Sequence, residues 1–166
     1  MKKVLSATAM FALVLWGCTT VSSLLHAQDT ATGQVLNTDS LKIFLDNLGL
    51  EPKLIGDRYQ MMIKQDTAKI FITITLSTNN TKLLMRTHLA SPSDSTKGDA
   101  SRWLNLMSNN ESLCPSTFAL DKEQKNLYLI HSFDNRGVTP AVLRRETDNF
   151  ATNIRKTAPL WKTFAK

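Results

Sequence analysis

The amino-acid sequence predicts an α+β domain in which helices cover an antiparallel five-stranded sheet, in the order α-βββ-α-ββ-α. Stretches typical of strands come as a group of three and then a group of two. The turns within each group are short enough for antiparallel hairpins. Three other segments carry apolar residues at helical spacing, and they flank these groups. Hairpins grouped apart from helices are typical of the α+β class.

The composition is that of an ordinary globular chain. Its 166 residues are 42% hydrophobic and 20% charged, and residues 38–166 are long enough for a single domain with its own core. The formal net charge is +6, of which Lys2 and Lys3 contribute two. Basic residues cluster in the last helix without interleaved aromatic residues, so we expect no nucleic-acid partner.

Residues 1–27 are predicted to be a signal peptide. Lys2 and Lys3 precede an apolar run, residues 4–16, that is too short for a comfortable membrane span. Cleavage after Ala27 would leave residues 28–37 as a flexible tether ahead of the domain. We therefore expect an exported protein, located in the bacterial periplasm or tethered to the outer membrane.

The cleavage position stays open between three alternatives. Residues 15–18 resemble a lipobox, in which residues 1–17 are removed and Cys18 becomes the lipidated first residue. Gly17 fits that pattern, whereas the bulky Trp16 does not. A cut within residues 21–23 is the third alternative. The soluble product is favoured, and in the lipobox alternative the lipid on Cys18 would be the only membrane attachment.

The first helix is predicted to begin near Thr38 as its cap and to end at Gly49. Its apolar stripe consists of Leu41, Phe44, Leu45 and Leu48. Three strands follow at residues 59–64, 69–76 and 82–89, of which the second alternates most clearly.

The second helix is predicted to open at Asp99, with an apolar stripe formed by Ala100, Trp103, Leu104 and Met107. Two strands follow, at residues 117–121 and 127–133. The third helix has Thr139 as its cap and Pro140 as its first residue, and it ends before Pro159. Its predicted buried side consists of Leu143, Phe150 and Ile154.

No motif indicates a catalytic site, a metal or a cofactor. The sequence has no phosphate loop, dinucleotide fingerprint, paired CxxC or HExxH. His88 and His131 each lie in a predicted strand without a second ligand at suitable spacing. We expect Cys114 to be a small buried residue rather than a reactive thiol. A cleft that gathered either histidine with a carboxylate would favour an enzyme.

The second face of the predicted sheet is the candidate binding surface. Phe71 lies on the opposite face from Ile70 and Ile72, and an apolar patch on an open sheet face favours burial against another chain. Trp103 could join this patch, although its helical spacing favours the core. The candidate partner-binding residues are Phe71, Leu84, Trp103, Tyr128 and Ile130.

The element order over residues 38–161 resembles the type III secretion chaperone-like fold, and especially its YbjN-like branch. Residues 104–109 (Leu-Asn-Leu-Met-Ser-Asn) are similar to the family's Leu-Asn-x-x-x-Asn run. Residues 127–139 look like its strand, glycine turn and capped helix. The resemblance implies a non-catalytic, often dimeric protein that binds extended polypeptide. Members are commonly cytoplasmic, whereas this chain carries a predicted leader, and Met107 stands where a second aromatic residue is common.

These observations predict an exported, non-catalytic module of the bacterial envelope, chaperone-like or adaptor-like, that binds a protein partner and forms a homodimer. The alternative is a protein that binds a small ligand or the envelope surface. A closed apolar cavity between the third helix and the sheet would favour that alternative. An enzyme with an unrecognised site ranks last.

Overall fold

The computed structural model describes residues 35–65, 68–93, 99–123 and 125–165. All of them belong to the unit Thr32–Lys166. The predicted signal peptide, the lipidation candidate Cys18 and residues 28–34 of the predicted tether lie outside the described residues.

The described residues form one antiparallel sheet of six strands in the spatial order β1-β2-β3-β4-β6-β5. The last strand in sequence, β6, therefore lies between β4 and β5. The strands are β1 (Lys53–Ile55), β2 (Arg58–Gln65), β3 (Ala68–Leu76), β4 (Lys82–Ala90), β5 (Ser116–Leu120) and β6 (Leu127–Asp134).

The prediction of five strands is wrong by one, because β1 was missed. This strand has only three residues, all of them exposed, so it lacks the alternation that identifies a half-buried strand. It pairs with β2 through Ile55 and Arg58, which leaves Gly56 and Asp57 as a two-residue turn. Gly56 has φ +65, the backbone conformation that such tight hairpins require.

The helices also number more than predicted in the described part of the chain. Short helices follow both the second and the third predicted helix, so the order becomes α-ββββ-αα-ββ-αα with a final 3₁₀ turn. None of the described helices is long and apolar enough to cross a membrane. They are α1 (Thr38–Asn47), α2 (Ala100–Ser108), α3 (Asn110–Leu113), α4 (Pro140–Lys156), α5 (Ala158–Trp161) and the 3₁₀ helix Lys162–Phe164.

Capping groups set the ends of α1 and α4. Asn37, rather than Thr38, caps α1: its Oδ1 accepts a hydrogen bond from the Ser40 backbone N–H at 2.8 Å. Gly49 follows the helix with φ +70, as predicted for its C-terminal end. Thr139 caps α4 as predicted, and its hydroxyl accepts from the Val142 N–H at 3.2 Å.

Helix α2 is rotated relative to the predicted stripe. Leu106 is buried, whereas Leu104 is 72% exposed. Trp103 and Met107 pack partly buried against the core. The inward residues are therefore 103, 106 and 107, which also satisfy helical spacing; the pattern alone allowed two neighbouring stripes.

The core lies between one face of the sheet and the helices. Strand residues of this face join residues of α1, α2 and α4 in one buried cluster. The predicted buried residues of α4 all belong to it, and Thr147, one turn before Ala151, is buried as well. The largest buried side chains include Phe150, Phe164, Leu41, Leu45, Met61, Ile72, Ile74, Leu83, Met85, Leu106, Leu127 and Leu129.

Candidate functional site

Four of the five candidate residues lie together on the sheet face opposite the core. Pairing places Leu84 opposite Thr75, Ile130 opposite Arg86, and Tyr128 opposite His88, all on the face that also carries Phe71. Phe71 is 56% exposed, whereas Leu84, Tyr128 and Ile130 are half-buried. We call this surface the open face. Its most exposed predicted residue is Phe71.

Trp103 does not lie with this group. Its ring packs against Phe164 of the 3₁₀ helix, with ring centroids 4.4 Å apart, and it is partly buried against the core. The helical spacing had favoured this placement. Whether any of the five residues contacts a partner stays a prediction.

The sheet separates between β3 and β4. Among the described residues, pairing of these strands runs only from Leu76 and Leu83 to Thr73 and Arg86, although both strands continue. The Thr87 hydroxyl then donates to the Phe71 carbonyl oxygen at 2.8 Å. An irregularity in the β4–β6 register follows at residues 88–90. Such bulges bend a strand, which accounts for its departure from β3.

A cavity of about 530 Å³ occupies this separation, and we call it the seam cleft. It runs from the open face to the α4–α5 junction, where Trp161 lies. Among the described residues its lining includes five Lys or Arg side chains and no Asp or Glu. The lining consists of Arg58, Gln60, Lys69, Ile70, Phe71, Thr73, Arg86, Thr87, His88, Leu89, Tyr128, Ile154, Arg155, Ala158, Trp161 and Lys162.

A second cavity of about 490 Å³ adjoins the first, and we call it the hairpin cleft because β1 and β2 contribute to it. Gln60 and Phe71 line both clefts, so the exposed phenyl ring stands where they meet. The lining of the hairpin cleft consists of Leu48, Gly49, Leu50, Glu51, Lys53, Gln60, Met61, Met62, Ile63, Lys64, Phe71 and Arg144.

Arg86 is the central cation of the seam cleft, and sequence reasoning did not identify it. Its guanidinium carbon lies 3.4 Å from the centroid of the Tyr128 ring, a cation–π contact. Its Nε is buried without a hydrogen-bond partner among the described residues. Arg86 and Tyr128 are far apart in sequence, so their contact could have been predicted only from the pairing of β4 with β6.

His131 lies next to a carboxylate, and a histidine gathered with a carboxylate in a cleft would favour an enzyme. Its Nδ1 lies 2.8 Å from Ser116 Oγ and its Nε2 lies 3.3 Å from Glu146 Oε2. Asn153 Nδ2 donates to the same serine oxygen at 3.0 Å. Burial lowers the pKa of His131, although Glu146 acts in the opposite direction.

This group lacks access for a substrate. Ser116 and His131 are each 1% exposed, and neither lines the seam cleft or the hairpin cleft. A neutral imidazole can accept the Ser116 proton at Nδ1 and donate from Nε2 to Glu146, which satisfies all three side chains. The arrangement is therefore a buried polar network between β5, β6 and α4.

The remaining reactive residues give no second site. His88 is exposed, with Nε2 3.2 Å from Ser91 Oγ. Cys114 is exposed, which corrects the expectation of a buried thiol. In the part of the chain that the structure describes, no three His, Cys, Asp or Glu residues are grouped to hold a metal ion.

Comparison with known proteins identifies the fold. The sequence profile of the Tir chaperone protein (CesT) family matches residues 40–157, more than half of the chain. No curated protein matches the chain by sequence. The profile match bears out the resemblance to secretion chaperones predicted from the sequence.

Solved structures of the same fold include the HopA1–SchA chaperone–effector complex, which is 18% identical, with a TM-score of 0.50 covering 72% of this chain and 90% of that one. YbjN from E. coli is 15% identical, with a TM-score of 0.53 covering 76% of this chain and 94% of that one. The ExsC–ExsE complex is 15% identical, with a TM-score of 0.52 covering 72% of this chain and 88% of that one. The ExoU–SpcU complex of the Pseudomonas aeruginosa type III secretion system is 18% identical. Its TM-score is 0.52, covering 73% of this chain and 97% of that one.

These findings correct the predicted location. The match to the Tir chaperone protein (CesT) family overturns the prediction of an exported protein, periplasmic or tethered to the outer membrane. That prediction depended on the charge and the apolar run of the N-terminal residues alone, and these say nothing about the family of the domain. The family supports a protein-binding role that needs no catalytic site.

Proposed function

Because the chain belongs to the Tir chaperone protein (CesT) family, we propose that it is a non-catalytic chaperone that binds an extended client segment along its open face. The observation that carries this proposal is Phe71. Its ring is 56% exposed at the point where the seam cleft and the hairpin cleft meet. Burial of exposed apolar surface of this kind under a partner is favourable, because it removes that surface from water.

The two clefts together favour an extended chain over a compact ligand. They adjoin along neighbouring strands, and β3 and β4 separate within the seam cleft. Strand residues that have lost their neighbour can hydrogen-bond to the main chain of an added polypeptide. A client segment lying across Phe71 would thus gain both apolar and main-chain contacts.

The small-ligand alternative is less well supported. A closed apolar cavity between the third helix and the sheet would favour this alternative. The lining of the seam cleft instead mixes cations with aromatic rings, and the exposed Phe71 and Lys69 are part of it. Pockets for small ligands are mostly apolar and enclose most of the ligand surface.

The test is capture of client proteins from an extract of the host with three baits. The baits are the unaltered chain, Phe71→Asp and Ile43→Asp. Ile43 is a matched control, because it is 58% exposed but lies on α1, away from the sheet. A captured protein is then purified, and its affinity for each bait is measured by titration.

We expect Phe71→Asp to lose at least tenfold in affinity, about 1.4 kcal/mol, while Ile43→Asp is unchanged. The free energy of unfolding of both variants should lie within about 0.5 kcal/mol of that of the unaltered chain, because both side chains are exposed. Equal binding by all three baits, or equal loss in both variants, would count against a client site at Phe71.

A further inference from the structure

We infer that the client segment is acidic: carboxylate side chains of the bound polypeptide pair with the cations of the two clefts while its apolar residues pack on Phe71, Tyr128 and Trp161. This inference rests on the proposed function and specifies the chemistry of the client.

The distribution of charge is the first argument. The whole chain has 20 Lys or Arg and 14 Asp or Glu residues. The described lining of the two clefts holds eight Lys or Arg residues and a single carboxylate, Glu51. Cations are thus concentrated in the clefts far beyond their share of the sequence. A surface of one charge sign attracts a partner of the opposite sign and raises its rate of association.

The carboxylates described next to Arg58 and Arg86 do little to neutralise these two cations. Asp57 lies 3.3 Å from Arg58, but its side chain is 81% exposed and the pair is open to solvent. Asp121, whose charge also acts on Arg86, accepts hydrogen bonds from Asn126 Nδ2 and the Lys125 N–H, each at 2.7 Å. Neither carboxylate lines the seam cleft in the described part of the chain.

Arg86 supplies the most specific feature. Its guanidinium is held against the Tyr128 ring, so its position is set before a ligand arrives. Its buried Nε lacks a partner among the described residues. A planar guanidinium can donate two parallel hydrogen bonds to one carboxylate, and such charge-assisted bonds are stronger than neutral ones. A carboxylate in the seam cleft would pair with this guanidinium.

The geometry favours a polypeptide over a nucleic acid. The seam cleft lies between two strands that no longer pair with each other, and strand edges hydrogen-bond to peptide groups. A nucleic acid would use the cations and aromatic rings but could not continue the sheet. An acidic polypeptide uses all three features.

The experiment titrates the full chain with three fluorescent probes and follows their anisotropy. The first is a blocked peptide of roughly twelve residues in which glutamate alternates with valine, which reaches ~40 Å when extended. The second has glutamine in place of every glutamate. The third is a single-stranded oligonucleotide of comparable length. Each titration is run at low and at high salt.

Three variants locate the binding. Arg86→Gln and Lys162→Gln each remove a cation of the seam cleft, and Lys162 is exposed, so its loss leaves the core intact. Lys122→Gln removes the same charge from the exposed β5–β6 turn and is the matched control. Circular dichroism checks that each variant is folded.

We expect the glutamate peptide to bind at least tenfold more tightly than the glutamine peptide at low salt, with a smaller advantage at high salt. Arg86→Gln should weaken glutamate-peptide binding about tenfold and Lys162→Gln roughly threefold, whereas Lys122→Gln leaves it unchanged.

Equal affinity for the two peptides would overturn the acidic client while leaving a peptide-binding open face standing. Binding of the oligonucleotide in preference to the glutamate peptide would overturn it in favour of a nucleic-acid ligand. Binding of neither peptide, or equal weakening by Lys122→Gln, would also overturn it.

Discussion

Asn135 joins three parts of the chain that are distant in sequence. Its side chain donates to the carbonyl oxygens of Leu36 at 2.9 Å and Asn80 at 2.8 Å, and it accepts from the Leu36 N–H at 3.3 Å. The residue is fully buried. It ties the segment before α1 to the β3–β4 turn and to the end of β6.

We therefore expect Asn135→Ala to lower the free energy of unfolding by about 3 kcal/mol, because it leaves buried main-chain groups without partners. Urea denaturation measures this loss. Asn105→Ala, at an exposed position of α2, is the control and should change stability by less than about 0.5 kcal/mol. Equal stability of the two variants would contradict the structural role of Asn135.

The buried His131 makes stability depend on pH. Burial lowers its pKa below the usual 6.5, against the opposing effect of Glu146. As pH falls through about 6.5, the unfolded chain takes up a proton before the folded chain does. The free energy of unfolding should therefore decrease as pH falls from 6.5 toward the lower pKa of the folded state.

Denaturation at about pH 7.5 and about pH 5.5 tests this dependence. His131→Gln should weaken the loss of stability on acidification, whereas His88→Gln should retain it, because His88 is exposed. An equal pH dependence in all three proteins would show that other groups are responsible.

Helix α1 illustrates how a capping pattern can be read one residue out of place. The sequence predicts Thr38 as the cap, but Asn37 and Ser40 exchange hydrogen bonds at 2.8 Å in both directions. Both assignments place a good capping residue ahead of the same apolar stripe. The difference depends on one backbone conformation, which composition does not specify.

Two substitutions distinguish these assignments. Asn37→Ala should lower the free energy of unfolding by about 1 kcal/mol, because it removes the acceptor for the Ser40 N–H. Thr38→Ala should change it by less than about 0.5 kcal/mol, since Thr38 is an exposed residue of the first turn. Thermal denaturation measures both changes, and the reverse order would restore Thr38 as the cap.

At the scale of the whole molecule, the homodimer implied by the resemblance stays a prediction. Leu104 on α2 is 72% exposed, more than any other large apolar side chain of the described residues. We expect the purified chain to sediment as a dimer and Leu104→Asp to sediment as a monomer, because burial of this side chain would favour association.

Ile43→Asp is the control for this measurement, since Ile43 is also an exposed apolar residue on a helix. It should leave the dimer intact. Sedimentation of the unaltered chain as a monomer at micromolar concentration would contradict the prediction, and loss of the dimer in both variants would deny Leu104 a particular role.

The sequence by itself determined the α+β class, the three main helices, five of the six strands and the resemblance to secretion chaperones. These features depend on local patterns: alternation in β3, helical spacing and caps in α1 and α4. The face of the sheet that carries Phe71 could also be predicted, because successive side chains of a strand alternate between faces. The predicted export was wrong, since a leader-like composition does not establish where a chain functions.

Only the tertiary structure decided where β6 lies, which stripe of α2 faces inward, and how the strands separate at the seam. It also placed Arg86 on Tyr128 and buried Asn135 against Leu36. Each of these depends on contacts between residues far apart in the chain, for which neighbouring residues carry no periodic signal. The clefts and their concentrated charge arise from that long-range pairing, and so the proposed chemistry of the client became visible only in the folded molecule.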